Sequence, residues 1–418
     1  MRKVFVGDFR IGKEERDAVI AVLDSGRVSE GEKVREFEKA FAKFVGTKYA
    51  VATSSGTGAL LCGMAALKNY RGLGIREGTK VVTTPLTYVA TSNALVLSGF
   101  KPVYVDTDPE TFGITPENIK AHLEEADDPS EYSFILPVHL MGFPCDMDGI
   151  SKVAKKYSLQ VFEDSAQAHG SIYKGKRTGS LSLLSDFSFY IAHNIQVGEM
   201  GAVTTDDREI WRLVKKLKAN GRMCDCPVCT RAQGTCPRVF KGAEDEDMDP
   251  RFTHDLIGYN FKTTEFQAAL GLCQLEKAEW ITKKRQENVR YLNERLEELS
   301  DLFQLPHYSE EVSYLAYPIV IRDPKRVSRR AIRERFEKLG VETRPLFGCI
   351  PTQQPAYGFL RDQYKGKLPN AEHLGSHAFY VGCHQYLERE DLDYIVEVFW
   401  RVLKDCKVIS SEMSMPRG

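Results

Sequence analysis

From residue 48 to 206 the chain alternates short β-branched runs with helical patterns. KYAVATS reads as a strand, and GTGALLCGMAALKNY as a helix that begins at a glycine turn. KVVTTP, KPVYVDTD, FILPVHL and LQVFED continue the strand series, with helical TYVATSNALVLSG, TPENIKAHLEEA and MDGISKVAKKY between them. Strands joined by crossover helices predict a mostly parallel sheet covered on both faces, an α/β fold. After FSFYIAH and GAVTTDD the pattern changes. DREIWRLVKKLKANG is an amphipathic helix, and an irregular, charged, Cys-rich insert runs from 222 to 256. One long helix is predicted over roughly 263–300, without Pro and without Gly after 271, as a hinge between domains. LAYPIVI, SRRAIRERFEKLG, VETRPL and REDLDYIVEVFWRVLKDC then predict a smaller α/β domain. The expectation is a large domain over 1–280 that carries the insert, and a smaller C-terminal one over 281–418.

Composition narrows the function classes. With 42% hydrophobic and 28% charged residues in 418, the chain is an average soluble globular protein. A formal net charge of −1 gives no global basic field for nucleic acid, and no polybasic tail marks a membrane surface. MRKVFVGDFRIG turns polar too soon for a secretory leader, and no apolar run reaches the roughly 18 residues of a membrane span. A cytoplasmic enzyme is the expectation.

Ten cysteines are unevenly placed. Cys62, Cys145, Cys273, Cys349, Cys383 and Cys406 are scattered, mostly in apolar surroundings, and read as small core residues. Cys224, Cys226, Cys229 and Cys236 crowd into one short stretch, which in a large cytosolic chain favours metal over disulfide.

Three segments carry chemistry. SSGTGAL at 54–60 lies between a strand and a helix, where backbone N–H groups make a phosphate cradle. VFEDSAQAHG at 161–170 puts Asp164 at the C-terminal end of a buried strand, where open α/β sheets bind ligands. A carboxylate there can cap a helix or hold a pyridinium nitrogen protonated. FSFYIAHNIQVGEMGAV follows at 187–203.

In this order and spacing the segments resemble the DegT/DnrJ/EryC/StrS-type sugar aminotransferase family of fold-type I pyridoxal-phosphate enzymes. The resemblance runs nearly end to end, through GEKVREFEKAFAKFVGTKYAVATSSGTGAL, TPLTYVATSNA, KPVYVDTDPETFGI, HLMGFPCDMDGI and IGYNFKTTEFQAALGLCQLEKAE. It implies that Ser55, Gly56, Thr57 and Ser188 hold the cofactor phosphate and that Tyr88 stacks on the ring. Asp164 is implied to pair with the ring nitrogen and Gln167 to contact the 3-hydroxyl. Asn260 would reach the phosphate of a neighbouring subunit, which implies a homodimer with shared sites.

One position departs from the family pattern. His193 stands where the lysine that binds the cofactor covalently is found. An imidazole cannot form that bond, but its ordinary pKa suits a general base. A subgroup with His at this position, the 4-keto-6-deoxyhexose 3-dehydratases, is similar also in GRMCDCPVCTRAQGTCPRVF, in ETRPLF with QQPAY, and in FYVGCHQYL. The likeness implies noncovalent pyridoxamine phosphate, His193 as base, and loss of the C3 hydroxyl from a nucleotide-linked 4-keto-6-deoxysugar.

One dehydratase branch carries an iron–sulfur cluster fed by a flavin reductase; the other uses glutamate. The cluster branch has a ligand where this chain has Ala166, but here Cys229 gives C-x-C-x2-C-x6-C over 224–236. Four such thiolates suit an iron–sulfur cluster, with tetrahedral zinc as the alternative. An aminotransferase with an unconventional base and a silent sugar-nucleotide-binding homologue remain the rival readings. His139 reads as structural, His169 as either a partner orienting Asp164 or a packing residue, and His384 as part of a substrate-side loop. The run EDEDMD at 244–249 reads as a solvated face.

Overall fold

The computed structural model describes residues 2–224, 226 and 249–410. Strands β1 (Tyr49–Thr53), β2 (Lys80–Thr83), β3 (Lys101–Tyr104), β4 (Tyr132–Leu136) and β5 (Gln160–Asp164) alternate with helices, as the β-branched runs predict. A small hairpin, β6 (Ile172–Tyr173) with β7 (Lys176–Arg177), precedes β8 (Leu184–Ser188) and β9 (Gly201–Thr205). Seven of these strands form one sheet in the order β1-β9-β8-β5-β4-β2-β3. The run from β3 to β8 is parallel; β9 is antiparallel to both β8 and β1.

Helices α1 (Lys13–Asp24), α2 (Glu32–Val45), α3 (Gly56–Asn69), α4 (Ala90–Leu97), α5 (Pro116–Glu124), α6 (Met147–Lys156) and α7 (Arg208–Leu217) surround that sheet. Their starts are chemically marked. Ser55, Thr115, Asp146 and Asp207 each accept a backbone N–H of the first turn of α3, α5, α6 and α7. On one face Leu60, Met64, Leu213 and Val214 pack with Val51, Phe162, Leu184 and Val203. On the other, Ile119, Ile150 and Val153 pack with Val82, Ile135 and Val161. With both faces buried, the strands read as continuous apolar runs.

The single helix expected over 263–300 is two, α8 (Glu265–Glu276) and α9 (Ala278–Leu296), meeting at Lys277. No Pro or Gly breaks it there. The break follows from packing two different layers. Gly271 of α8 lies so close to α2 that a Cβ would meet Phe37 Cε2 at 2.7 Å. Val289, Leu292 and Leu296 of α9 instead join the core of a smaller sheet. Lys277 pins the joint through Glu14 and Glu15 of α1, at 2.9 and 2.6 Å.

That smaller sheet is antiparallel, β10 (Phe303–Gln304), β11 (Tyr317–Ile321), β12 (Arg344–Pro345) and β13 (Ala378–Val381), in the order β10-β11-β13-β12. Val4 bridges to Val341, so the start of the described chain lies beside it. Leu86, Val138 and Leu140 from the large sheet's loops, and Tyr104 at the end of β3, share one core with it. Among the described residues no helix is long and apolar enough to cross a membrane.

Candidate active site

Where the C-terminal ends of β5 and β8 face the smaller sheet, a cavity of about 1070 Å³ opens. Ser55, Gly56, Thr57, Tyr88, Asp164, Gln167, Ser188 and His193 all line it. At one end, α3 begins. Ser55 Oγ caps it by accepting Gly58 N–H at 3.1 Å. Gly56 lies against β8, where a Cβ would stand 2.5 Å from Ser188 Cβ. An added Cβ at Gly201 would overlap the Ser55 carbonyl and lie 2.7 Å from Gly56 N. The strand–helix turn, β8 and β9 are thus packed backbone to backbone at the start of α3, where the free N–H groups of a helix suit an anion.

This packing makes a test. Gly201→Ala is expected to cost about 1–3 kcal/mol of stability, because the turn must move to admit the methyl. Phosphate-ester affinity should fall with it. Thermal unfolding with and without pyridoxal phosphate reads both effects.

Asp164 closes the other end of the cavity. Oδ2 accepts the Thr91 hydroxyl at 2.7 Å and Oδ1 accepts the Ala166 amide at 3.2 Å. Burial raises its carboxyl above the usual range, opposed by the Thr91 and Ala166 hydrogen bonds. Gln167 Oε1 accepts Met141 N–H at 3.0 Å. The amide NH₂ is therefore the end left to donate. Tyr88, 60% exposed, stands at the rim with its ring 5.9 Å from that of Phe347.

The loop between β8 and β9 carries His193. Phe189 N–H to Met200 O, Ile191 N–H to Gly198 O and Val197 N–H to Phe189 O close that loop on itself. His193 N–H donates to Tyr190 O at 2.9 Å, and Asn194 Nδ2 anchors the turn to Ser313 O at 2.9 Å. His193 Nδ1 is buried with no hydrogen-bond partner among the described residues. Burial, and then the Arg285 guanidinium, hold the imidazole down to about 4. Arg285 is itself buried, donating to the carbonyls of Tyr314 and Leu315 at 3.2 and 2.7 Å.

Other readings change. His169 does not orient Asp164. It packs between Phe187 and Phe189, with ring centroids 5.2 and 5.1 Å away, and Thr91 holds the carboxylate instead. His384 does not line the cavity; its Nδ1 accepts Tyr386 N–H at 3.3 Å. His139 is structural: Nδ1 accepts Cys145 N–H at 3.1 Å, so Nε2 donates to Glu163 at 3.0 Å. Asn260 is exposed, bridged to Ala219, and does not line its own chain's cavity. Cys224 and Cys226 are half-buried outside the cavity, while Cys229 and Cys236 lie outside the described residues.

Sequence reasoning missed four groups. Thr91 sits within a helix whose pattern gave no site signal. Asp186 is a charged residue inside the buried run LSDFS. Arg329 and Arg344 come from the smaller sheet's side and also line the cavity, Arg344 paired with Glu342 at 2.9 Å. The residues present fit a flat phosphorylated cofactor. The Gly56 cradle excludes a Cβ, and buried polar atoms of Asp186 and His193 are left unpartnered toward the same cavity.

Comparison with known proteins agrees with this geometry. The family model of the DegT/DnrJ/EryC1/StrS aminotransferase family matches residues 10–399. A dTDP-4-dehydro-2,6-dideoxy-D-glucose 3-dehydratase of Saccharopolyspora spinosa is 33% identical over 396 residues, 93% of this chain and 84% of that protein. The structure of the E. coli GDP-4-keto-6-deoxy-D-mannose-3-dehydratase with bound hydrated PLP superposes with a TM-score of 0.83, at 27% identity over 95% of this chain and 99% of that one. Helicobacter pylori PseC, an aminotransferase of pseudoaminic acid biosynthesis, superposes equally well, with a TM-score of 0.83 at 26% identity over 97% of this chain and 100% of that one. A family model matched along nearly the whole sequence, on this sheet, leads to one conclusion: the chain belongs to the DegT/DnrJ/EryC1/StrS aminotransferase family of fold-type I pyridoxal-phosphate enzymes.

Proposed function

We propose that the protein removes the C3 hydroxyl, as water, from a nucleotide-linked 4-keto-6-deoxyhexose, with His193 as the general base. The observation that carries this reading is that a half-buried histidine held neutral at physiological pH, and no lysine among the described residues, lines the cavity that Asp164 also lines. Pyridoxamine phosphate bound there would supply an amine for the sugar ketone and an electron-withdrawing ring. Ser55, Gly56, Thr57 and Ser188 would hold its phosphate, and Asp164 would pair with the ring nitrogen. Gln167, its carbonyl already engaged by Met141, donates its NH₂ to the ring hydroxyl. Tyr88 covers the ring from the rim. His193 accepts the proton whose removal drives the C3 hydroxyl out. Arg329 and Arg344 meet the negative charge and hydroxyls of a sugar nucleotide.

The test incubates anaerobically purified protein with pyridoxamine phosphate, a nucleotide-linked 4-keto-6-deoxyhexose and a source of the two electrons that deoxygenation consumes, glutamate in one arm and a reduced flavin in the other, and follows the sugar by mass spectrometry and NMR. A 3-deoxy sugar supports the reading. An amine at C4 with C3 intact replaces it with aminotransfer, and an unchanged sugar overturns both. Iron, zinc and sulfide analysis of the same sample tests the four-thiolate centre proposed for Cys224, Cys226, Cys229 and Cys236. Iron with sulfide fits electron delivery from a flavin reductase. Zinc, or no metal, fits the glutamate-driven branch.

We further propose that the working unit is a homodimer with shared sites. Asn260 is exposed and absent from its own cavity, and nearby Ile257 is 98% exposed. Inactive Asn260→Ala and His193→Asn proteins, mixed and reassembled, should then recover about a quarter of wild-type activity, because each mixed dimer regains one intact site. No recovery in a reassembled mixture would place Asn260 outside a shared site.

A further inference from the structure

Besides Asp164 and the exposed Glu199, the cavity is lined by a third carboxyl that the proposed chemistry does not use. Asp186 of β8 is the parallel register partner of Asp164 of β5, and both line the cavity. Strand partners stand about 4.8 Å apart and point to the same face. Asp186 is 0% exposed and Asp164 4%. Their partners differ. Asp164 accepts the Thr91 hydroxyl and the Ala166 amide, whereas neither carboxyl oxygen of Asp186 has a hydrogen-bond partner among the described residues.

Two adjacent carboxylates withdrawn from water cannot both ionise, and the proton settles on the one whose anion is worse solvated. That one is Asp186. We propose that Asp186 stands in the folded protein as a neutral carboxylic acid at neutral pH, so that the pair presents one negative charge to the cavity, carried by Asp164.

The neighbours do not reverse this. On β5, Glu163 is engaged by His139, by the Gly179 and Leu181 amides and by the Ser182 hydroxyl. β9, on the other side, carries no titratable side chain, and neither does α4, which supplies Thr91. α3, packed over this face, has Cys62 as its only titratable group before Lys68, and burial holds that thiol at about 12. No cation on these elements faces Asp186, and the two arginines that line the same cavity are engaged elsewhere, Arg329 by the Gly375 and Ala378 carbonyls and Arg344 by Glu342. Burial first, and then the Asp164 and Glu163 charges, push it well above the usual carboxylate range.

The consequence for catalysis rests on the cofactor reading above. One anion matches one protonated ring nitrogen, whereas two would leave a surplus buried charge. Asp186 is then a positioning residue, acting through Asp164. Its protonation can be tested without any cofactor. A carboxyl with a raised folded pKa does not penalise the fold below the unfolded value, near 4. The penalty grows as pH rises toward the folded value, and unfolding releases the proton.

Wild type and Asp186→Asn are unfolded by denaturant in weakly buffered solution with a pH indicator. Near pH 8, wild type is expected to release about one more proton than the variant. The variant's Tm is also expected to exceed that of wild type by a gap that widens from about pH 6 to about pH 8. Equal proton release with a constant gap would overturn the inference. Should Asp186→Asn fail to fold, Asp186→Ser takes its place in the same assay. Infrared spectra of wild type with carbon-13-labelled aspartate give a second readout: absence of a protonated-carboxyl stretch at neutral pH would also overturn it. A protein that binds no pyridoxamine phosphate would sink the cofactor reading and leave these results untouched.

Discussion

Replacing His193 by Asn is expected to slow loss of the C3 hydroxyl by about 10²–10⁴-fold while leaving the fold and pyridoxamine phosphate affinity in place. The amide fills similar space in the Tyr190–Gly198 loop, but it has no lone pair basic enough to take a proton. The wild-type pH profile carries the same signature. Burial and the Arg285 charge hold His193 at about 4. The rate should therefore persist as pH falls past 6.5, where an ordinary imidazole would already be protonated and useless as a base. Stability moves with it. A histidine whose folded pKa is depressed leaves its contribution intact above the unfolded value, and that contribution is lost as pH falls toward the folded value. His193→Asn should thus lose activity and gain acid tolerance together. Product formation measured by NMR, beside unfolding curves at several pH values, checks both. Full activity in the variant would remove His193 as the base. So weak a base suffices only against a carbon made acidic by an electron-withdrawing ring, which ties His193 to Asp164.

How far the sequence carried this is visible in particular residues. KYAVATS, KVVTTP and LQVFED are legible as strands because both faces of the sheet are covered, and Ser55, Thr115 and Asp207 announce the helices they cap. The break at Lys277 has no local signal, since it arises from α8 and α9 serving different cores. The same division holds in the site. Ser55, Gly56 and Thr57 form one contiguous turn, and Gly56 is required by its approach to Ser188. Thr91 lies 73 residues from Asp164 in sequence, and their hydrogen bond exists only because of the order in which the strands were laid down. Asp186 becomes Asp164's neighbour only through the β5–β8 register. His169 beside the Asp164 motif suggested either an orienting or a packing role, and its ring contacts with Phe41, Phe187 and Phe189 decide for packing. The role proposed for Asn260 concerns a second copy of the chain, which no reading of one copy can place.

Asp164→Asn should separate function from stability most sharply. A carboxylate close to a cationic ring nitrogen favours the protonated ring by about 1–3 pKa units, so its loss should lower turnover by about 10–10³-fold. The ring's own titration, followed by absorbance of the bound cofactor, should shift down by a similar margin. The apoprotein should respond in the opposite direction. Burial raises the Asp164 carboxyl in the fold, against its hydrogen bonds to Thr91 and Ala166. The folded state therefore carries a penalty that is absent below the unfolded carboxylate value and grows as pH rises through the folded one. A neutral amide removes the penalty, keeps a carbonyl for the Thr91 hydroxyl, and relieves Asp186 of its charged neighbour. The variant should accordingly melt higher than wild type at neutral pH while turning over far more slowly. A protein that wanted only to be stable would not keep two carboxyls side by side in a dry strand interior. If Asp164→Asn instead lowers the Tm and leaves the cofactor's titration unmoved, the carboxylate is a structural cap, and the ring takes its proton elsewhere.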